Sequence, residues 1–309
     1  MSTLFLTHSA CLKHETPEGH PERADRLRVV NQVLTEDRFS PLVRGEAPEG
    51  TLDHVGLCHH EHYVTELRHV APSSGLVYLD GDTSMSPGTW EAVMRGVGGA
   101  VTATEAVMSG THKNAFVAVR PPGHHAEINK PMGFCFFDNV AIAARHAQRK
   151  FGIGRAAIVD FDVHHGNGTQ DIFWADKSVM YCSTHQMPLF PGTGARGERG
   201  EHDTIVNAPL ASEDGSLEFR SAFENLILPQ LTKFSPELVI ISAGFDAHYR
   251  DPLASLNLRA EDFAWVTRKL MEVADKCAGG RVVSVLEGGY DLQALKESVT
   301  AHVGALTGA

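Results

Sequence analysis

Residues 156–169, A-A-I-V-D-F-D-V-H-H-G-N-G-T, limit the folds open to this chain more than any other stretch. The first half is an apolar, β-branched run of the kind that forms a strand buried on both faces. Set into it are Asp160, Asp162 and His164, spaced two apart, and in an extended chain residues at that spacing share one face. Unpaired charges in a buried strand are costly, so these carboxylates need a cation or hydrogen-bond donors. Asp-x-His at a strand end, followed by a Gly-rich turn, suits a divalent metal.

Similar apolar runs recur at residues 3–7, 115–119, 179–182, 237–242 and 281–286. Between them, residues 21–36, 54–67, 90–108, 139–150, 217–232, 260–276 and a segment from 292 carry helical patterns. Strands without polar alternation, alternating with helices, predict a doubly wound α/β fold: a parallel sheet with helices on both faces. No repeat, low-complexity linker or composition shift divides the chain, so a single domain over residues 1–309 is expected. Residues 80–88, D-G-D-T-S-M-S-P-G, read as a polar loop. Residues 186–207 hold F-P-G-T-G-A-R-G-E-R-G and read as a long loop, which in a compact domain is usually functional.

A net charge of −11 argues against generic nucleic-acid or anionic-membrane binding and suits a cationic substrate. No apolar run is long enough to span a bilayer, and M-S-T-L-F-L-T-H lacks the regions of a signal peptide. Cys11, Cys58, Cys135, Cys182 and Cys277 form no C-x-x-C pair, which excludes a zinc finger and gives no disulfide framework. A reduced, cytoplasmic setting is expected. The 18 histidines are more telling, because many fall at predicted strand ends. His54, His59, His60 and His62 are an exception and read as partly exposed helix and loop residues, not ligands.

Ligands of open α/β sheets bind beyond the carboxyl ends of the strands. Five predicted exits carry polar groups there: His124-His125, Asp162-His164, Ser183-Thr184, Asp246 and Tyr290. Two carboxylates and an imidazole make a three-ligand site with an open position, as in catalytic zinc centres. Oxygen-rich ligation also suits Fe(II), Mn(II) or Co(II).

The motifs R-P-P-G-H-H, G-F-C-F-F, D-F-D-V-H-H-G-N-G-T, F-P-G-T-G, S-A-G-F-D-A-H and L-E-G-G-Y occur in the order found in the histone deacetylase family. From about Gly19 to Leu306 the chain resembles a bacterial class II type of zinc-dependent deacetylase, related in fold to the arginases. The resemblance implies Asp162, His164 and Asp246 as Zn(II) ligands, and His124 and His125 as the tandem histidines beside the reacting water. It implies that Asp160 orients His124, that Asn167 orients His125, and that Tyr290 donates to the carbonyl oxygen. Gly133, Phe134 and Phe190 would line a narrow tunnel for the acyl-lysine stem. Backbone carbonyls around Asp160, Asp162, His164, Ser183 and Thr184 would hold a structural potassium ion, with a second near Phe173, Asp176 and Val179.

Two departures bear on chemistry. Class I members pair the second histidine with a carboxylate; here that position is Asn167, a neutral amide that does not stabilise imidazolium, so His125 should be the weaker base. Tyr290 is retained where the catalytically weakened class IIa branch has His. Leu253 falls at the implied tunnel mouth, where polyamine-selective relatives have glutamate. The expected activity is therefore removal of acetyl or related acyl groups from lysine side chains or small acylated amines. An acetylpolyamine amidohydrolase is the alternative within the fold, with an arginase-type ureohydrolase needing a second metal. A non-catalytic acyl-lysine binding module is the alternative of another class.

Overall fold

The structure, a computed structural model, describes residues 2–308. The apolar runs become strands β1 (Thr3–Thr7), β2 (Val43–Glu46), a small hairpin of β3 (Val77–Tyr78) and β4 (Ser84–Met85), then β5 (Asn114–Val117), β6 (Ala156–Asp160), β7 (Val179–Gln186), β8 (Ile205–Leu210), β9 (Leu238–Ala243) and β10 (Val282–Leu286). The eight outside the hairpin form one sheet, all neighbours parallel, in the order β2-β1-β5-β10-β9-β6-β7-β8. The doubly wound expectation holds. Every residue of β5, β6, β7, β9 and β10 is buried, which explains why these strands show no polar alternation.

The helices are α1 (Ala24–Val33), α2 (Leu52–Val55), α3 (Glu61–Val70), α4 (Thr89–Met108), α5 (Asn139–Phe151), α6 (Asn167–Phe173), α7 (Ser216–Ala222), α8 (Leu228–Phe234), α9 (Ala260–Cys277) and α10 (Leu292–Thr307). One layer is built on α4 and α5, which pack on each other and on β1, β5, β6, β9 and β10. The other is built on α1, α9 and α10. Local chemistry sets their ends. Asp138 caps α5 by accepting from the Ala141 N–H, and Gly152 closes it in the left-handed conformation. Asp291 caps α10 in the same way through Ala294.

Several boundaries depart from the pattern-based expectations, each for a physical reason. The helix expected over 21–36 begins at Ala24, because Glu22 is drawn into a buried ion cluster with Arg26 and Arg120. The helical stretch expected over 54–67 is split between α2 and α3, and His59 at the break is buried rather than partly exposed. Its ring bridges the Glu127 carbonyl and the Asp138 N–H. Edge strand β2, V-R-G-E, carries too much charge to read as a strand, and charge is how exposed edges are protected from pairing. Opposite edge strand β8 begins inside the expected loop over 186–207 and runs past its end, unrecognised because Asn207 and Pro209 interrupt its apolar run, and proline is tolerated at a sheet edge. Pairing with β8 extends β7 to Gln186, so Ser183 and Thr184 lie within the strand and not at its exit. The helix expected over 217–232 is broken by a π-turn at Phe223–Ile227, just before Pro229.

Candidate metal centre and active site

The carboxyl ends of three adjacent strands, β6, β9 and β10, open onto one crevice. β6 ends at Asp160, so Asp162 and His164 sit on the turn beyond it. Their convergence is therefore the work of that turn and not of strand alternation, which corrects the simple reading of the two-residue spacing. The Asp162 N–H donates to Asp160 Oδ1 at 3.0 Å, and the His164 N–H to Asp162 Oδ1 at 2.9 Å. Asp246 arrives three residues after β9, and its Oδ1 accepts the Val163 N–H at 2.8 Å. Asp162 Oδ2 accepts the Gly288 N–H at 2.8 Å.

Asp162 is thus held by backbone N–H groups at both oxygens and Asp246 at one, and one oxygen of each faces His164. His164 Nδ1 lies 3.2 Å from Asp162 Oδ1 and 3.1 Å from Asp246 Oδ2. Asp162, His164 and Asp246 form a buried group of candidate ligands whose donor atoms all lie within 4.8 Å of one another. Two glycines make the crowding possible: a Cβ at Gly244 would fall 2.0 Å from Asp162 Oδ2, and one at Gly288 would fall 2.2 Å from Asp246 Oδ2. Burial and the neighbouring Asp162 push the Asp246 carboxyl up to about 7. Burial opposes a charge on His164, yet the two aspartates raise it to about 10. Two buried carboxylates converging on one imidazole nitrogen call for a cation. The donor set, two oxygens and one nitrogen, fits Zn(II) and also suits Fe(II) or Co(II).

His124 and His125 stand beside this group with ring centroids 4.1 Å apart. His124 Nδ1 lies 2.9 Å from Asp160 Oδ2, which also accepts the Tyr181 hydroxyl at 3.0 Å. Burial works against a charged His124, but Asp160 and Asp162 outweigh it and raise its pKa well above the ordinary value. His125 goes the other way: burial, then His124 and His164, push its pKa well down. Its Nδ1 lies 2.8 Å from Asn167 Oδ1. At the site, then, the surroundings of one imidazole favour its charged form and those of its neighbour the neutral form.

Tyr290 follows β10 on the Gly288-Gly289 turn. Its N–H donates to Asp251 Oδ2 at 2.7 Å, and the Arg26 guanidinium lies 4.9 Å from its ring centroid. Burial raises its phenol well above the usual range, so the hydroxyl remains a donor. A cavity of about 230 Å³ leads to these groups, lined by Asp82, His125, Gly133, Phe134, His164, Leu189, Phe190, Leu253 and Tyr290. The Phe190 ring meets the His125 ring edge-on at 5.2 Å, and Phe134 meets Tyr290 at 6.0 Å. Phe134 has φ +69°, a conformation disfavoured for a bulky residue, and its N–H is held by Thr83 Oγ1 at 3.1 Å. At Gly133 a Cβ would fall 2.5 Å from the His125 ring.

The structure thus gathers the metal-ligand candidates, the histidine pair with its partners, Tyr290 and the four tunnel residues at one crevice. Asp160 and Ser183 are register partners on β6 and β7, which brings the proposed potassium-site segments side by side. The buried Thr184 hydroxyl there has no hydrogen-bond partner among the described residues. Sequence reasoning missed Asp82, Asp251 and Glu127. Asp82 puts a carboxylate at a rim that Leu253 alone made look apolar. Within D-G-D nothing in the sequence separates Asp82 from Asp80. Asp251 accepts from the N–H groups of Leu253, Tyr290 and Asp291, a role that only the folded turn reveals.

Residues 20–306 match the model of the histone deacetylase domain family. The chain is 39% identical to a probable deacetylase of Archaeoglobus fulgidus, over 95% of this chain and 82% of that protein. It is 36% identical to the chloroplastic histone deacetylase 14 of Arabidopsis thaliana, over 99% and 77% respectively. The crystal structure of the HDA15 HD domain superposes with a TM-score of 0.94 at 35% identity, covering 99% of this chain and 88% of that one.

Proposed function

The chain belongs to the histone deacetylase family, and from that premise we propose that it is a zinc-dependent amidohydrolase acting as a single catalytic domain. Its substrates are acetyl-lysine side chains, or similar amines carrying acetyl or related acyl groups. The observation that carries this reading is the buried Asp162–His164–Asp246 group beside a histidine pair, one ring bonded to a carboxylate and the other to a neutral amide, at the foot of a cavity. Among the described residues no second ligand group of this kind lies beside it, which favours amide hydrolysis over arginase-type two-metal chemistry.

A Zn(II) held by these three residues supplies Lewis acidity, polarising the amide carbonyl and acidifying water. His125, neutral and with Nδ1 engaged by Asn167, has Nε2 available to take the proton of the attacking water. Cationic His124, braced by Asp160, stabilises the negative charge that develops and is a proton source for the leaving amine. Tyr290, protonated, donates to the carbonyl oxygen as the carbon becomes tetrahedral and the oxygen gains negative charge. The C–N bond then breaks, the amine leaves protonated, and the acid is released. Phe134 and Phe190 grip the aliphatic stem and exclude water around the amide. A potassium ion held by backbone carbonyls around Asp160, Asp162, His164, Ser183 and Thr184 belongs to this reading. It would brace the floor of the site and give the Thr184 hydroxyl a cation nearby.

Asp82 favours a second substrate reading. Its carboxylate lines the cavity near the rim, where it can attract a distant ammonium and admit acetylpolyamines alongside acetyl-lysine. Turnover of acetyl-lysine peptides and of acetylspermidine by zinc-loaded protein tests both. Preference for the peptides supports the main reading, a tenfold or greater preference for acetylspermidine supports the second, and no turnover of either refutes both. No helix among the described residues is long and apolar enough to cross a membrane.

A further inference from the structure

Asn167 bonds in two directions. Its Oδ1 faces His125 Nδ1 at 2.8 Å, and its Nδ2 donates to Glu127 Oε1 at 2.8 Å. The two ends of a carboxamide have nearly the same shape but opposite hydrogen-bonding character, so partners decide which way it points. A carboxylate only accepts, so Glu127 requires the NH₂ end. The carbonyl end is then left for His125, and a carbonyl also only accepts. His125 must therefore carry its proton on Nδ1, leaving the Nε2 lone pair free. The other acceptors near Nδ2, the His125 carbonyl at 3.5 Å and the Met132 sulfur at 3.2 Å, are too weak to enforce this orientation.

Glu127 is itself held in place. Its N–H and carbonyl form a two-residue bridge with Lys130, and its carbonyl accepts from His59 Nδ1 at 3.1 Å. His59 Nε2 accepts the Asp138 N–H at 2.9 Å, which fixes the proton of His59 on Nδ1. His59, a buried histidine outside the site chemistry, thus anchors the segment that carries Glu127.

We propose that Glu127 is a positioning residue that sets the tautomer of His125 through Asn167, forming a Glu–Asn–His relay. This rests on the reading of His125 as the proton acceptor of the hydrolysis. It also accounts for the amide at position 167. A carboxylate there would stand against Glu127 at hydrogen-bond distance with no proton between them, so this chain uses a carboxylate one link further out.

The test is a reciprocal swap on zinc-loaded full-length protein, read by ring-nitrogen NMR of histidine-labelled samples and by kinetics. The His125 signals are assigned with a His125→Ala sample. Glu127→Gln should mix the two His125 tautomers and lower kcat about 10-fold, with KM and zinc content unchanged. Asn167→Asp should lower kcat about as much, because two carboxylates now face each other. In Glu127→Gln/Asn167→Asp the glutamine donates to the new aspartate, and kcat should recover to within about threefold of the parent. Unchanged tautomer in Glu127→Gln, or a double variant as impaired as the product of the singles, overturns the relay. The NMR signature does not depend on turnover. An inactive protein whose His125 tautomer still shifts in Glu127→Gln refutes the hydrolase reading and supports the relay.

Discussion

Glu22→Gln isolates the ion cluster beneath the Tyr290 turn. In the native protein Glu22 is buried between two buried guanidiniums. Arg120 Nε and Nη2 donate to it at 2.7 and 2.6 Å, and Arg26 Nη1 at 3.0 Å. Arg26 in turn donates to the Gly289 carbonyl at 2.6 Å, one residue before Tyr290. Burial alone would raise the Glu22 pKa, but Arg120, His14 and Arg26 bring it down from 4.5 to about 2. That difference corresponds to about 3 kcal/mol by which the fold favours the ionised carboxylate. Glutamine keeps the shape and loses the charge, removing the carboxylate that is hydrogen-bonded to both buried guanidiniums. The expected cost is about 3–5 kcal/mol. Urea denaturation near neutral pH measures it, and looser support of the Tyr290 turn should also lower kcat without loss of zinc. Because the folded-state pKa is depressed, the Glu22 contribution is complete above pH 4.5 and is lost as pH falls from there through about 2. The gap between parent and variant should therefore be constant near neutrality and narrow in acid. A gap below about 1 kcal/mol at neutral pH, the value of an exposed pair, would refute the reasoning. So would a gap that widens on acidification.

Other outcomes follow from the same geometry. Tyr290→Phe should lower kcat about 100-fold or more with zinc retained, the usual cost of losing one donor to the developing oxyanion; near-normal kcat would make the Gly288-Gly289 turn purely structural. Leu253→Glu should shift relative kcat/KM toward acetylspermidine, because a rim ion pair is worth about 1–4 kcal/mol at intermediate dielectric. An unchanged ratio would assign ammonium selection to Asp82. His302 is buried between Thr267 and Ser284 hydroxyls at 2.6 and 2.8 Å, and burial pushes its pKa down to about 3. The unfolded chain takes up that proton near pH 6.5, so stability should fall as pH drops from there. His302 alone contributes about 2 kcal/mol between neutrality and pH 5. His302→Gln should reduce this slope, measured from urea midpoints at the two pH values.

How much could be read in advance divides along physical lines. Buried strands β5, β6, β9 and β10 were legible because two covered faces demand unbroken apolar runs. Edge strands β2 and β8 were not, since an edge tolerates the charges of V-R-G-E and the proline of I-V-N-A-P-L. The metal-ligand candidates stood out because acids and histidines at the ends of apolar runs are costly without a purpose. Their convergence depends on the turn beyond β6 and on backbone N–H groups of Val163 and Gly288, which have no residue signature. Glu127 and Asp251 escaped notice for a related reason. Each acts through hydrogen bonds that exist only once distant segments meet, and a lone acid in a loop reads as solvated. His59 was misread because its four-histidine neighbourhood resembles a surface cluster, while the fold turns that one ring inward.

The central claim is that amide hydrolysis is performed at the Asp162–His164–Asp246 group. Its most direct test is to determine metal content and acetyl-lysine peptide turnover on the same samples of the parent and of Asp246→Ala. The parent should carry about one Zn(II) per chain and release acetate, leaving the free-lysine peptide, while the folded variant should lose both the metal and the turnover. Turnover that persists in Asp246→Ala, or in parent protein stripped of metal, would contradict it.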